Sequence, residues 1–177
     1  MKRSLLLNIH LILSSLFIPF LLVIPLSGSL YLLGIKGEVT KTQILQLEGS
    51  VPASVTDKEI YFRTLFSDKK IDFDFEYIKE TPAELIFRPT TKDFYTAVIK
   101  DGTITLFAAK PSMLSKIMEL HKGHGPQKMK KFEAAFGIAL ILILITGLWL
   151  ALTVGKFRKL TFISFGFGLV LLGLFLI

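Results

Sequence analysis

The sequence predicts a membrane protein of three transmembrane α-helices that carries a small α+β domain with an antiparallel sheet. Three observations predict it. First, residues 132–153 hold no charge, proline or amide side chain after Glu133. Lipid offers backbone groups no hydrogen-bond partners, so such a run crosses a bilayer only as a helix or in a closed barrel. Its unbroken apolar character and its length, close to the roughly 20 residues of one span, select the helix. Second, the mean hydropathy of +0.59 is too apolar for an ordinary soluble chain, and the excess sits at the two ends. Third, residues 36–125 between those ends alternate like a folded soluble domain.

Charge follows the same division. All 14 acidic residues lie between Glu38 and Glu133, and the only charges outside residues 36–133 are Lys2, Arg3, Lys156, Arg158 and Lys159. Five of the seven net positive charges therefore sit on short basic flanks of apolar segments, and the middle contributes the other two. The middle is near neutral, which is no electrostatic footprint for DNA or RNA. The chain has no cysteine, which excludes disulfides, thiolate metal sites, iron–sulfur clusters and covalent haem attachment within it.

Residues 1–35 are expected to form the first span. A basic start, an apolar run and small residues at Ser27 and Ser29 also describe a cleaved signal peptide. The apolar run continues through residues 30–35, longer than a signal core, and favours a retained helix with Tyr31 as an interfacial anchor. Pro19 and Pro25 should kink it.

In residues 36–125, a short strand is expected over 40–47. A helix is expected over 55–67, with Thr56-Asp57-Lys58-Glu59 as a capping box and Ile60, Phe62, Leu65 and Phe66 as buried positions. Ile71, Phe73, Phe75 and Tyr77 alternate with Asp72, Asp74 and Glu76, the pattern of a half-buried strand whose carboxylates face water. Strands over 84–88, 93–99 and 103–108 follow, the last two joined by a tight turn at Lys100-Asp101-Gly102. Pro111 suits the first turn of a helix carrying Met113, Leu114, Ile117, Met118 and Leu120. Residues 126–177 then hold two spans, about 132–153 and 160–177, joined by a short basic turn at 154–159. Gly166, Gly168 and Gly173 thin one side of the last span, and Thr146-Gly147 permits close helix packing.

Basic residues favour the cytoplasmic side of short loops. Lys2 and Arg3 place the amino end inside, and Lys156, Arg158 and Lys159 place the second loop there too. Residues 36–131 are then expected outside the inner membrane. Lys128, Lys130 and Lys131 run against the rule, but they belong to a long translocated segment, where the rule weakens.

Three local patterns carry a resemblance. Asn8-Ile9-His10 opens a span that ends Ile24-Pro25-Leu26-Ser27-Gly28. Leu120-His121-Lys122-Gly123 precedes the central span. Ile145-Thr146-Gly147-Leu148-Trp149 lies near that span's exit. Together with the helix–strand–strand–strand order from Thr56 onward, they make the chain resemble the PepSY-associated transmembrane proteins of bacteria. The similar type is compact, with a PepSY-like domain between the first and second spans. The resemblance implies haem chemistry for some relatives, which are electron carriers or reductases of iron chelates, and points to His10 and His121 as haem b ligands.

Geometry narrows that role. Under the topology above, His10 and His121 lie at opposite edges of a membrane core roughly 30 Å thick, so the two cannot hold one iron within one subunit. His121 and His124 are too close in sequence to reach opposite faces of a porphyrin. The larger haem-bearing relatives place another histidine near the start of a later span, where this chain has none between Lys159 and Gly166. Ligands would then be completed across a subunit interface. His124 is a weak metal candidate. Against these stand plainer roles, with His10 making polar contacts at a helix start and His121 and His124 complementing a helix carboxyl end.

No Gly-rich phosphate loop, Gly-x-Ser-x-Gly elbow or His-Glu-x-x-His motif is present. The expected role is a non-enzymatic accessory protein that presents its soluble domain to another membrane or periplasmic protein, with the lipid bilayer as its second partner. A haem b electron-transfer subunit is the alternative. Restraint of an envelope protease, on the analogy of PepSY domains in some protease propeptides, is a third reading that rests on fold alone.

Overall fold

The computed structural model describes residues 3–177, so the amino-terminal charge expected of Lys2 lies outside the described residues. The elements in order are α1 (Arg3–Leu32), β1 (Val39–Glu48), α2 (Val55–Asp68), β2 (Tyr77–Glu80), β3 (Leu85–Arg88), β4 (Phe94–Lys100), β5 (Thr103–Pro111), α3 (Met113–His121), α4 (Gln127–Thr153) and α5 (Gly155–Leu176). They form two compact units, Met1–Leu22 with Ala134–Ile177, and Val23–Glu133. Both α1 and α4 contribute residues to each.

The unit Val23–Glu133 is built on an antiparallel five-stranded sheet in the order β1-β5-β4-β3-β2. Alternation puts Leu85 and Phe87 of β3, Ala97 of β4, and Ile104 and Leu106 of β5 into one apolar core. Helix α2 closes it with Phe62 and Phe66, and Phe62 meets Phe87 edge-on at 4.9 Å between ring centroids. Each fully buried phenylalanine contributes about 1.5–3 kcal/mol, so this aromatic cluster is the chief hydrophobic support of the domain. Between β4 and β5, Asp101 and Gly102 both have positive φ (50° and 72°), as a two-residue hairpin turn requires.

The opposite face of the sheet carries Ile86, Arg88 and Phe94, and α3 lies there, with Glu119 reaching Arg88 at 2.9 Å. A cleft of about 290 Å³ opens between that face and α3. Helix α3 is seated by reciprocal bonds: the Ser112 amide donates to Glu38 O (2.8 Å) and the Glu38 amide donates to Ser112 Oγ (3.1 Å).

Several expectations need correction. Residues 71–76 are not a strand. Their alternation is kept as burial, with Phe75 buried and Asp72, Asp74 and Glu76 exposed, but the ladder begins only at Tyr77. The segment packs its aromatics under α2 instead, and Arg63 donates to the Phe75 carbonyl (2.6 Å). Two of its carboxylates are also engaged, because Asp74 pairs with Arg63 and Glu76 accepts the Gln127 amide at 3.0 Å on both oxygens. Ser54, not Thr56, caps α2, through a long bond from the Asp57 amide (3.5 Å). Ile60 is exposed rather than buried. Pro111 ends β5, and Ser112 caps α3. The helix of the central span starts at Gln127, ahead of the expected 132, so Lys128, Lys130 and Lys131 fall inside α4. The expected turn at 154–159 shrinks to Val154, so Lys156, Arg158 and Lys159 belong to the first turns of α5.

The other unit contains the remaining parts of α1 and α4 together with α5. Phe136 of α4 is buried between Phe17 and Phe20 of α1, with ring centroids 5.4 and 5.8 Å away. The helical assignment of α1 runs through Pro19 and Pro25 without a break. Helices α1, α4 and α5, of 30, 27 and 22 residues, are each long and apolar enough to cross a membrane. No residue of α5 is buried, and among the described residues a Cβ added at Gly166, Gly168 or Gly173 would meet nothing within 4 Å.

Candidate functional site

Two histidines are held in the same way, one in each unit. In the unit that contains α5, His10 of α1 faces Thr146 of α4, with Nδ1 2.9 Å from Oγ1. Thr146 is buried, and its hydroxyl lies 2.6 Å from the Leu142 carbonyl of its own helix. Gly147 makes the approach possible, because a Cβ there would stand 3.1 Å from His10 Cε1, tighter than ordinary packing. Beside the pair lies a cleft of about 370 Å³ lined by Arg3, Leu6, Ile145, Thr146, Trp149 and Thr153.

In the unit with the sheet, His121 is the last residue of α3 and faces Ser27 near the end of α1. Its Nδ1 is 2.9 Å from Ser27 Oγ, and that hydroxyl lies 2.8 Å from the Ile24 carbonyl. Ser27 is buried at 2% exposure, although serine is usually a surface residue. Gly28 repeats the role of Gly147, since a Cβ there would stand 3.2 Å from His121 Cε1. The neighbouring cleft, about 410 Å³, is lined by Ser27, Gly28, Tyr31, Met118, His121 and Lys122. The ammonium groups of Lys36 and Lys122 stand 4.9 and 5.0 Å from the Tyr31 ring centroid, within cation–π range.

Both expected haem ligands, His10 and His121, thus sit in built environments. The sequence marks Thr146-Gly147 as a close-packing pair and Ser27-Gly28 as the end of the first span, but it does not pair them with the histidines. The signal was the repeated dipeptide, a hydroxyl residue followed by glycine, occurring once for each of His10 and His121.

The third expected site residue goes elsewhere. His124 Nδ1 is 2.8 Å from Glu119 Oε2, in a network that sequence reasoning missed. Arg88, buried at 4% exposure, donates Nη1–H to Glu119 Oε2 (2.9 Å) and to Thr90. Thr90 donates to the same carboxylate oxygen (2.6 Å), and Lys122 reaches Oε1 (3.0 Å). Burial pushes the Glu119 carboxyl up, but the bonds from Thr90, His124 and Lys122 and the Lys122 charge outweigh it and hold the group down at about 2. Burial lowers His124 below its ordinary 6.5, helped by the Arg88 and Lys79 charges and opposed by Glu119. A neutral imidazole that donates Nδ1–H to a carboxylate satisfies both groups. Among the described residues, no cluster of three His, Cys, Asp or Glu side chains could hold a metal ion.

The donor chemistry fits one axial nitrogen of an iron porphyrin at each of His10 and His121. In both cases Nδ1 is engaged; His121 itself lines its neighbouring cleft, whereas the cleft beside Thr146 is lined by Thr146 and not by His10. The chain has three histidines, and His10 is the one in its unit. His121 and His124 share a unit, but their Nδ1 atoms are tied to different partners, Ser27 and Glu119.

No family model, curated protein or solved structure matches the chain.

Proposed function

We propose that the chain is a multi-pass, non-enzymatic accessory protein of the bacterial inner membrane that presents a PepSY-like domain in the periplasm to a partner protein. The observation that carries this reading is the bare surface of α5. While Phe136 and Thr146 of α4 pack against α1, no α5 residue is buried and its three inner glycines face open space. Lipid tails give helices no hydrophobic reason to associate, so a thin, glycine-bearing helix is suited to close van der Waals packing with another span. The basic residues Arg3, Lys156, Arg158 and Lys159 support the orientation, because they stand at the starts of α1 and α5.

Native electrophoresis of tagged protein from gently solubilised membranes tests the reading. The expected result is a band larger than the monomer that collapses in a Gly166→Leu, Gly173→Leu variant. A monomer from unaltered membranes, or substrate turnover by the purified chain alone, overturns it.

A second reading is favoured by the two imidazole–hydroxyl pairs, and it makes the chain a haem b electron-transfer subunit. Haem, when bound, supplies one-electron transfer. His10 and His121 would each offer one axial nitrogen, with the second ligand coming from across a subunit interface. Protein purified in mild detergent after expression with ample haem should show a Soret band; its absence removes this reading.

A further inference from the structure

We infer that Thr146 and Ser27 are positioning residues that fix the proton of His10 and His121 on Nδ1 and leave Nε2 as a bare electron pair. The haem reading enters only in naming what meets that electron pair, an iron porphyrin. The tautomer assignment stands on proton counting alone.

A hydroxyl has one proton to give and two lone pairs to receive with. Ser27 Oγ lies 2.8 Å from Ile24 O, and Thr146 Oγ1 lies 2.6 Å from Leu142 O. A carbonyl oxygen can only accept, so those contacts consume the hydroxyl protons. Thr146 Oγ1 also stands 3.1 Å from Ile143 O, another acceptor, so the remaining contact of each oxygen, at 2.9 Å to an imidazole Nδ1, must be a bond in which nitrogen donates. The chain supplies its own controls. Ser29 of α1, Thr153 of α4 and Thr161 of α5 donate to carbonyls three or four residues back and make no hydrogen bond to an imidazole. Giving the proton to its own helix is therefore the ordinary state of a hydroxyl here.

Two restraints act on each ring. The hydrogen bond holds Nδ1, and the glycine brings the helix backbone against Cε1. Together they leave the imidazole little rotation. A ligating histidine ordinarily donates its other ring N–H to an oxygen, which fixes the tautomer and raises the basicity of the ligating nitrogen. Among the described residues the hydrogen bonds of both rings are made through Nδ1, and none is made through Nε2 of His10 or His121; the Glu133 carboxyl is near enough to feel the His121 charge.

The test uses full-length protein with ¹⁵N-labelled histidine in detergent micelles, in alkaline buffer where imidazole is neutral. His10 and His121 should show a protonated Nδ1 and a bare Nε2, the reverse of the form that free histidine prefers in water. Thr146→Val keeps the side-chain shape and removes the oxygen, so the Nδ1–H form of His10 should be lost as the majority species. Thr146→Ser should restore it. Ser27→Ala and Ser27→Thr should do the same for His121. After haem loading, Thr146→Val should raise the midpoint potential, because the ligand becomes a weaker donor, and Thr146→Ser should return it. Protonated Nε2 at both histidines of the unaltered chain overturns the inference, as does an unchanged tautomer in both Thr146→Val and Ser27→Ala. A missing Soret band with the expected tautomers removes the haem reading and leaves the positioning role in place.

Discussion

Glu119 is the residue on which the sheet's second face depends. It accepts from Arg88, Thr90 and Lys122 and faces His124 Nδ1, so it neutralises a guanidinium that is 4% exposed. Glu119→Gln keeps the size and removes the charge, leaving Arg88 buried without a counter-ion. The expected loss is about 3–5 kcal/mol, read from thermal unfolding of the full chain in detergent. The pH dependence has a definite sign. The folded-state value of Glu119 is depressed from 4.5 to about 2, so its contribution is fully present above 4.5 and disappears as pH falls through about 2. His124 is also depressed, from 6.5, so folding binds fewer protons there and stability starts to fall as pH drops below 6.5. Both groups make acid destabilising. His124→Gln should remove the limb that begins near 6.5 and leave the more acidic limb intact. Little of this was legible in the sequence, where Arg88 reads as a charge closing a short strand before Pro89. Its burial comes from α3 folding over the sheet, a contact 31 residues away.

Elements were legible where one local rule decides them. The hairpin turn at Asp101-Gly102 and the aromatic face of α2 follow from backbone freedom and helical period, and both are present. Residues 71–76 show where the rule stops. Period two predicts which side chains are buried, but a ladder also needs a neighbouring strand, and β3 reaches only to the register of Tyr77. Gly37 gives the element scale a sharper test. It has φ +72°, and a Cβ there would lie 2.5 Å from the Ser115 amide nitrogen in α3, a backbone atom that cannot move aside. Gly37→Ala should cost about 2–4 kcal/mol and loosen α3 from β1. Gly34, with φ +80° and nothing within 4 Å, is the control. Gly34→Ala meets only the backbone penalty of about 1–2 kcal/mol. Equal melting temperatures for the two variants would show that α3 is not seated on Gly37.

At the scale of the whole molecule, the three long apolar helices were legible because lipid imposes a criterion that every residue of a span meets on its own. Partners were not, since His10 and Thr146 are 136 positions apart and no periodicity links them. Orientation stands between these cases. The basic residues at the starts of α1 and α5 argue for two cytoplasmic ends of a pair of spans, with the sheet domain outside. The cluster Lys128, Lys130 and Lys131 argues the other way only if it is a free juxtamembrane patch. In the structure it opens α4 beside the sheet: Glu76 receives the Gln127 amide, and Lys130 Nζ stands 5.1 Å from the Tyr77 ring centroid. On the proposed orientation these lysines would travel with a folded domain, and a domain crosses largely regardless of its charge. A reporter active only in the periplasm, inserted near residue 90, should therefore give signal, and one inserted at Val154 should not. Moving the basic residues from the start of α5 to its end should weaken that contrast while the sheet still folds. A cytosolic signal from the first insertion would reverse the orientation, and the periplasmic partner would fall with it.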